Sequence, residues 1–329
     1  MWQSYALQSL YLITMKIGII GNLWVICSIM RNSRPHGWLR RPSDCLRTYI
    51  FVLALVDLFV VCLLALRLVY IWDETLTFGK CSYFDFEEIW NCRGLYFVEQ
   101  LSKMISMFCL ASISVGRYIT ICKPFSTQVR KHFHRGLPAT TLLLCFFVFI
   151  PIFLTVKTID VTADRRDCRI SDDGEWNRLT GLFVGACFML LLMLISVNYA
   201  EIVRHVHRKF LKRKARQSAS CNGNHNRLSE PRYVREMTSS TVRVAVFHIF
   251  CWLPFCFIAM TPTETCSLVY VSIRAISEIN DRHKHTWVLL IPILANWLTY
   301  LNSALNWIFY AVLNRDLREL IRFSLLQSF

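Results

Sequence analysis

The sequence has no P-loop, no HExxH, no GxSxG and no CxxC pair. These are the patterns that mark nucleotide hydrolases, zinc proteases, serine hydrolases and simple dithiol or zinc sites, so nothing here points to an enzyme. No Asn-x-Ser/Thr sequon occurs, so glycosylation gives no help with orientation. Charge is scarce: 18% of the 329 residues are charged, against 54% hydrophobic and 14% aromatic. That balance excludes an ordinary soluble domain and implies several membrane spans. No half-to-half repeat is visible, which argues against a transporter built from repeats. Acids are fewer than bases, 22 against 37, for a net charge of +15. Spread evenly, that excess would suggest nucleic acid. Its placement in alternate loops marks one basic face of a membrane protein instead, and no nucleic-acid partner is expected. Most of the 14 cysteines fall inside apolar runs, where Cys acts as a small hydrophobe, so a disulfide mini-domain is excluded too.

What is present is a series of long apolar runs. The first, Leu7–Met30, contains Lys16; a span starting after Lys16 would be too short, so the lysine lies inside it and faces the bundle or snorkels. With no basic leader and no small-residue cleavage site, this run reads as a retained signal-anchor with no extracellular domain before it. A basic loop with Arg31, Arg34, Arg40, Arg41 and Arg47 follows. The second span is Thr48–Trp72, with Asp57 in its middle, and leads to an acidic loop of Asp73, Glu74, Asp85, Glu87 and Glu88. The third covers 92–122. The loop after it carries Lys123, Arg130, Lys131 and Arg135, and Leu137–Val156 is the fourth span. Lys157–Arg178 is a mixed-charge loop with Cys168, and Leu179–Val203 is the fifth span. His205–Met237 is the most basic segment and reads as partly disordered. Val242–Met260 is the sixth span, Thr261–Thr286 a polar loop with Cys266, and Trp287–Leu313 the seventh. Asn314–Leu326 alternates basic and apolar residues and reads as an amphipathic helix lying on the membrane. The fold class is therefore all-α, a single seven-helix membrane domain. By the positive-inside rule its N-terminus is outside and its C-terminus cytoplasmic, in the plasma membrane.

The third span organises the rest. From Cys92 to Arg117 a helix rising ~1.5 Å per residue runs ~37 Å, longer than the ~30 Å hydrocarbon core. Glu99, Lys103, Ser106, Leu110, Ile113 and Arg117 step by threes and fours and share one face. Polar groups in lipid cost about 2.5–3.5 kcal/mol each on insertion scales, so this face looks into a bundle or a wet cavity.

Each motif on these spans admits two readings. Cys92 and Cys168 both lie on the outer, oxidising side. Bridged, they would tie the third span to the loop after the fourth; otherwise they are unpaired thiols. Cys81 and Cys266 are a second candidate pair. Asp57, with Ser106, Asn302, Ser303 and Asn306, offers an oxygen-only set suited to a hard cation, sodium above others; the alternative is a dry hydrogen-bond network. Cys251–Pro254 (CWLP) sets Trp252 at a proline bend facing the cavity, or leaves it as a packing residue. Arg117 exchanges partners between two bundle arrangements, or snorkels to lipid phosphate. Glu99 and Lys103, four apart, form an internal ion pair, or Glu99 recognises a cationic group on a ligand.

Together these motifs resemble the rhodopsin-like (class A) G-protein-coupled receptors, over nearly the whole chain. The resemblance rests on Gly21–Asn22, LALVDL at Leu53–Leu58, Cys92 with SISVGRYITICKP, CWLP, and LNSALNWIFY at Leu301–Tyr310. It implies a sodium and water network of Asn22, Asp57, Ser106, Asn302, Ser303 and Asn306. It implies an activation switch of Arg117, Tyr199 and Tyr310, and a ligand cavity lined by Glu99, Lys103, Trp252, Phe255, Asn296 and Tyr300. The chain departs from the family pattern in several places. Gly116 replaces the acid before the arginine, and the fourth span lacks the usual Trp. The fifth lacks its usual Pro and has Leu191 near that point. His248 stands where a Phe is usual, no Cys follows Asn314, and Trp307 replaces the Pro of Asn-Pro-x-x-Tyr, implying a straighter backbone before Tyr310.

The reading that follows is a receptor passing an extracellular signal, most like a neuropeptide receptor with a cationic peptide ligand, to heterotrimeric G proteins. A chemosensory or orphan receptor of the same fold, or a degenerate receptor that binds without signalling, are the alternatives, with a transporter behind them. The basic inner loop also suits anionic membrane lipid.

Overall fold

The computed structural model describes residues 2–31, 42–76, 88–123, 156–162, 165–170, 174–220, 232–260 and 286–309. The chain there is almost entirely helical: α1 (Trp2–Arg31), α2 (Pro42–Leu76), α3 (Glu88–Cys122), α4 (Gly174–Ser220), α5 (Arg232–Met260) and α6 (Thr286–Trp307). Helices are the natural solution for these sequences, because a backbone in lipid must satisfy its N–H and C=O groups within its own segment. Five of the helices (α1–α5) are long and apolar enough to cross a membrane. In the predicted scheme α1, α2 and α3 are the first three spans, and α4, α5 and α6 are the fifth, sixth and seventh. The predicted fourth span and the amphipathic helix at 314–326 lie outside the described residues, except that Val156 opens a strand.

Each helix packs on the next, and α6 returns to α1 and α2, so the described helices close into a ring. The ring is inside-out relative to a soluble protein. Asp57, Lys103 and Asn302 are 0% exposed, while Ile20 is 70%, Leu190 66% and Phe250 61% exposed. Apolar side chains need no shelter from lipid, and polar ones do. An apolar core of Met104, Met107, Leu110, Phe188 and Trp252 fills the centre, and a smaller one of Tyr11, Val60, Leu64, Ile293 and Tyr300 lies between α1, α2 and α6.

Three segments differ from the sequence expectation. The mixed-charge loop after the fourth span contains an antiparallel hairpin, β1 (Val156–Thr162) and β2 (Arg165–Ile170), with Thr158 opposite Cys168 and an irregularity between Asp160 and Thr162. β1 packs against α3. The charges in this stretch obscured its strand character.

The basic segment after the fifth span is helical at both ends: α4 runs on to Ser220, and α5 begins at Arg232. Ile202, Val206 and Phe210 recur every four residues, and the first two are buried, so one stripe of this extension packs while its basic side chains stay in water.

The last difference is at Trp307. The backbone after it does not run straight but widens into a π-type turn at Ile308–Phe309. The Trp307 indole lies against Gly21, where an added Cβ would come within 2.0 Å of the ring nitrogen, and Trp24 meets it edge-on at 5.9 Å. Only glycine admits the ring at that approach. Anchoring a bulky ring there holds the end of α6 against α1, and π-type turns accommodate such local displacements within a helix.

Candidate functional site

A seam of buried polar side chains runs through the ring, and toward the start of α3 it is centred on Lys103. The Lys103 ammonium donates to Glu99 Oε1 at 2.8 Å and to Asn296 Oδ1 at 2.7 Å. Its nitrogen lies 4.2 Å from the centre of the Tyr300 ring and 5.7 Å from that of Phe255. The Tyr300 hydroxyl donates to the same Glu99 oxygen. Carbonyl, carboxylate and aromatic faces thus surround a cation that is wholly buried. Of the two sequence readings for this pair, the internal ion pair is what the structure contains. Glu99 is 2% exposed and already holds two donors, so it is not presented to an incoming cation in this arrangement.

Below this cluster lies an aromatic layer. Trp252 is stacked on Phe188, with centroids 5.0 Å apart, and both meet Phe255 edge-on. Pro254, within α5, has no N–H to return to the carbonyl one turn earlier, which loosens the helix beside Trp252. Phe188 was not singled out from sequence. It lies three residues before Leu191 on the buried stripe of α4, but a phenylalanine in an apolar span carries no mark of its own.

The middle of the seam is the Asp57 group. Ser106 Oγ donates to Asp57 Oδ1 at 2.7 Å and Asn306 Nδ2 to Oδ2 at 2.8 Å, with Ser303 also in hydrogen-bonding reach. Asn302 is fully buried, and neither its Oδ1 nor its Nδ2 has a protein partner; Asn306 Oδ1 has none either. Asn22 is displaced from the carboxylate: its Nδ2 donates to the backbone oxygens of Gly18 and Ser303, which pins α1 to α6. Among the described residues no group of three or more His, Cys, Asp or Glu side chains suits a softer metal. Buried acceptors without donors, beside a carboxylate held only by neutral groups, fit a hard monovalent or divalent cation or ordered water.

Nearer the end of α3, Asn198 Nδ2 donates to Ser114 Oγ at 3.1 Å and joins α4 to α3. Arg117 is half-buried, and Tyr199 and His248 are buried. His248 bonds the Val244 carbonyl through Nδ1 and packs with Phe247 and Phe309. Of the expected switch residues, Arg117 lies on α3 and Tyr199 on α4. Tyr310 lies outside the described residues, as do Cys81 and Cys266. Cys92 belongs to α3 and Cys168 to β2, but their side chains are outside the described set.

Comparison with known proteins accords with this architecture. The 7 transmembrane receptor (rhodopsin family) model matches residues 21–310. Relatives include the octopamine receptor beta-2R of Chilo suppressalis, 24% identical over 97% of this chain and 79% of that protein. The somatostatin receptor type 2 of Mus musculus is 25% identical over 97% of this chain and 76% of its own length. The thyrotropin-releasing hormone receptor of Bos taurus is 24% identical over 95% and 76%. These relatives are receptors, not enzymes. With a family match over most of its length and a ring of membrane helices enclosing a polar seam, this chain belongs to the rhodopsin family of seven-transmembrane receptors.

Proposed function

We propose that this receptor sits in the plasma membrane with its N-terminus outside, binds an extracellular peptide in the outer part of the helix ring, and activates heterotrimeric G proteins at its basic inner face. The observation that carries the reading is the succession of buried interhelical layers along the ring. They are Glu99, Lys103, Asn296 and Tyr300, then Trp252 with Phe188 and Phe255, then Asp57, Ser106 and Asn306, and then Ser114 with Asn198. Such a succession lets an event at one end bias packing at the other, because each layer bridges at least two helices. Relatives named for somatostatin and thyrotropin-releasing hormone support a peptide ligand, whereas the relative named for octopamine supports a small amine. The pre-paired Glu99–Lys103 favours the first, since an amine would have to evict Lys103.

Asp57, Ser106, Asn302, Ser303 and Asn306 would hold a sodium ion, which would supply the positive charge that the Asp57 carboxylate lacks in the protein. Arg117, Tyr199 and Tyr310 would form the G-protein switch, with Gly116 leaving Arg117 without an adjacent acid. A Cys92–Cys168 bridge would fasten the hairpin to α3, in keeping with the packing of β1 on that helix. Exposed bases on the α4 extension, including Arg208, Lys209 and Lys212, would meet anionic lipid or the G protein.

Nucleotide exchange on a panel of purified G proteins, with the receptor in lipid, tests the reading. Exchange above that of Arg117→Ala on at least one G protein is the expected result. Equal exchange by parent and variant across the panel, with and without a peptide library, would leave only a receptor that binds without signalling.

A further inference from the structure

Lys16 belongs to none of the layers described above. On α1 the residues that face the ring recur as Thr14, Gly18 and Asn22, and Lys16 lies midway between the first two, on the far side of the helix. It is exposed there with Ile13, Ile17, Ile20, Leu23 and Cys27, a stripe at helical spacing that faces away from the ring. Of the two sequence readings for this lysine, facing the bundle is not what the structure contains.

Snorkelling does not settle its charge either. The apolar stretch of α1 is Gln8–Arg31, 24 residues. Centred on a ~30 Å hydrocarbon core at ~1.5 Å per residue, it leaves the Lys16 backbone ~10 Å inside the nearer boundary. A four-carbon stem covers about 6 Å of that depth. The ammonium stays among acyl chains, where an ionised group needs a counter-charge. α1 contains no acid, and among the described residues Lys16 has no ion-pair partner. Of the helices packed on α1, α6 contains no acid. The one acid in the apolar stretch of α2, Asp57, is buried and held by Ser106 and Asn306. The predicted fourth span, Leu137–Val156, has none. A second copy of this chain does not supply one: a two-fold contact through this stripe would set Lys16 against Lys16. Glu201, the partly exposed acid of α4, already meets Arg204.

We propose that this face of α1 docks a membrane helix of a different protein, apolar along its length and carrying one Asp or Glu at the depth of Lys16. The acid takes the ammonium, and the isoleucines beside it pack on the rest of the contact. A charge pair made away from water selects the partner, because a helix without the acid leaves the lysine uncompensated.

The test uses the purified full-length receptor in phosphatidylcholine vesicles with synthetic single-span leucine–alanine helices, identical except for Glu, Gln or Lys at the depth of Lys16. Each helix also carries a cysteine as far from that residue as Cys27 is from Lys16. Oxidative cross-linking to Cys27 is read by mass spectrometry. The Glu helix should be captured at least about fivefold more than the Gln helix, the scale of a polar contact between membrane helices, and the Lys helix least. Lys16→Met should remove the preference, and Lys16→Arg should keep it. Equal capture of the Glu and Gln helices would leave Lys16 to lipid phosphate and overturns the proposal, as does a preference that survives Lys16→Met, or no capture at all. Parent receptor cross-linked to itself through Cys27 more readily than to the Glu helix would put a second copy on this face and overturns it too.

Discussion

Two buried acids, Glu99 and Asp57, sit within the same ring of helices and are neutralised in different ways. Glu99 has a lysine one turn away and a tyrosine hydroxyl, so its charge is balanced inside the protein. Asp57 has Ser106 and Asn306, neutral donors alone, among neighbours with unpartnered oxygens. A balanced acid is part of the scaffold until a ligand replaces its partner. An unbalanced acid awaits a cation or carries a proton. The difference separates a site that must be opened from one that has only to be filled.

The largest effect should come from unbalancing the first acid. Lys103→Met takes the ammonium from the buried Glu99–Lys103 pair, and about 3–5 kcal/mol of stability should be lost, as for other broken buried pairs. Thermal or denaturant unfolding in detergent measures it. Adding Glu99→Gln should recover most of the loss, and failure to recover would mean that Lys103 acts through packing rather than charge. Asp57→Asn should show no comparable loss, since it removes an uncompensated charge from the interior.

Tyr300→Phe comes next. It keeps the ring over the Lys103 ammonium but removes the donor to Glu99, so a loss of about 1–3 kcal/mol is expected for an orphaned charged acceptor. A change below half a kcal/mol would show that Glu99 does not depend on the tyrosine hydroxyl.

The second acid is probed by its cation. Replacing choline chloride by sodium chloride should raise the unfolding temperature of the parent. The stabilisation should be of order 1 kcal/mol when sodium is a few times its dissociation constant. Asp57→Asn should abolish the dependence. A parent indifferent to sodium would favour a protonated, dry Asp57.

Sequence made one half of this comparison more legible than the other. Glu99, Lys103, Ser106 and Arg117 declared themselves because polar and charged groups at helical spacing inside an apolar run have few explanations. The spacing of Glu99 and Lys103 also raised the internal pair, but not the fact that Asn296 and Tyr300 complete it from α6, since contacts between distant spans are set by how the helices rotate against each other. Phe188 was illegible for the opposite reason: an aromatic in a lipid span is ordinary until its stacking on Trp252 is seen. The hairpin at 156–170 and the helical extension to Ser220 were masked by charge, although Ile202, Val206 and Phe210 already showed the helical stripe. Trp307 read as a lost proline; its fit on Gly21 depends on the approach of α1 to α6, which no local pattern records.

The smallest effect concerns the inner end, where neither acid reaches. Gly116 places no acid immediately before Arg117 in the sequence. Gly116→Asp would introduce an acid beside it. Successive residues on a helix point about 100° apart, so the new pair would be made sideways and in partly wetted surroundings. Exposed pairs contribute about 0.2–1 kcal/mol, which is at most about a fivefold change in a two-state equilibrium. Ligand-free nucleotide exchange should therefore fall by up to about that factor, while the sodium dependence set by Asp57 stays as in the parent. Unchanged basal exchange would show that the glycine has no bearing on how readily the G-protein face opens.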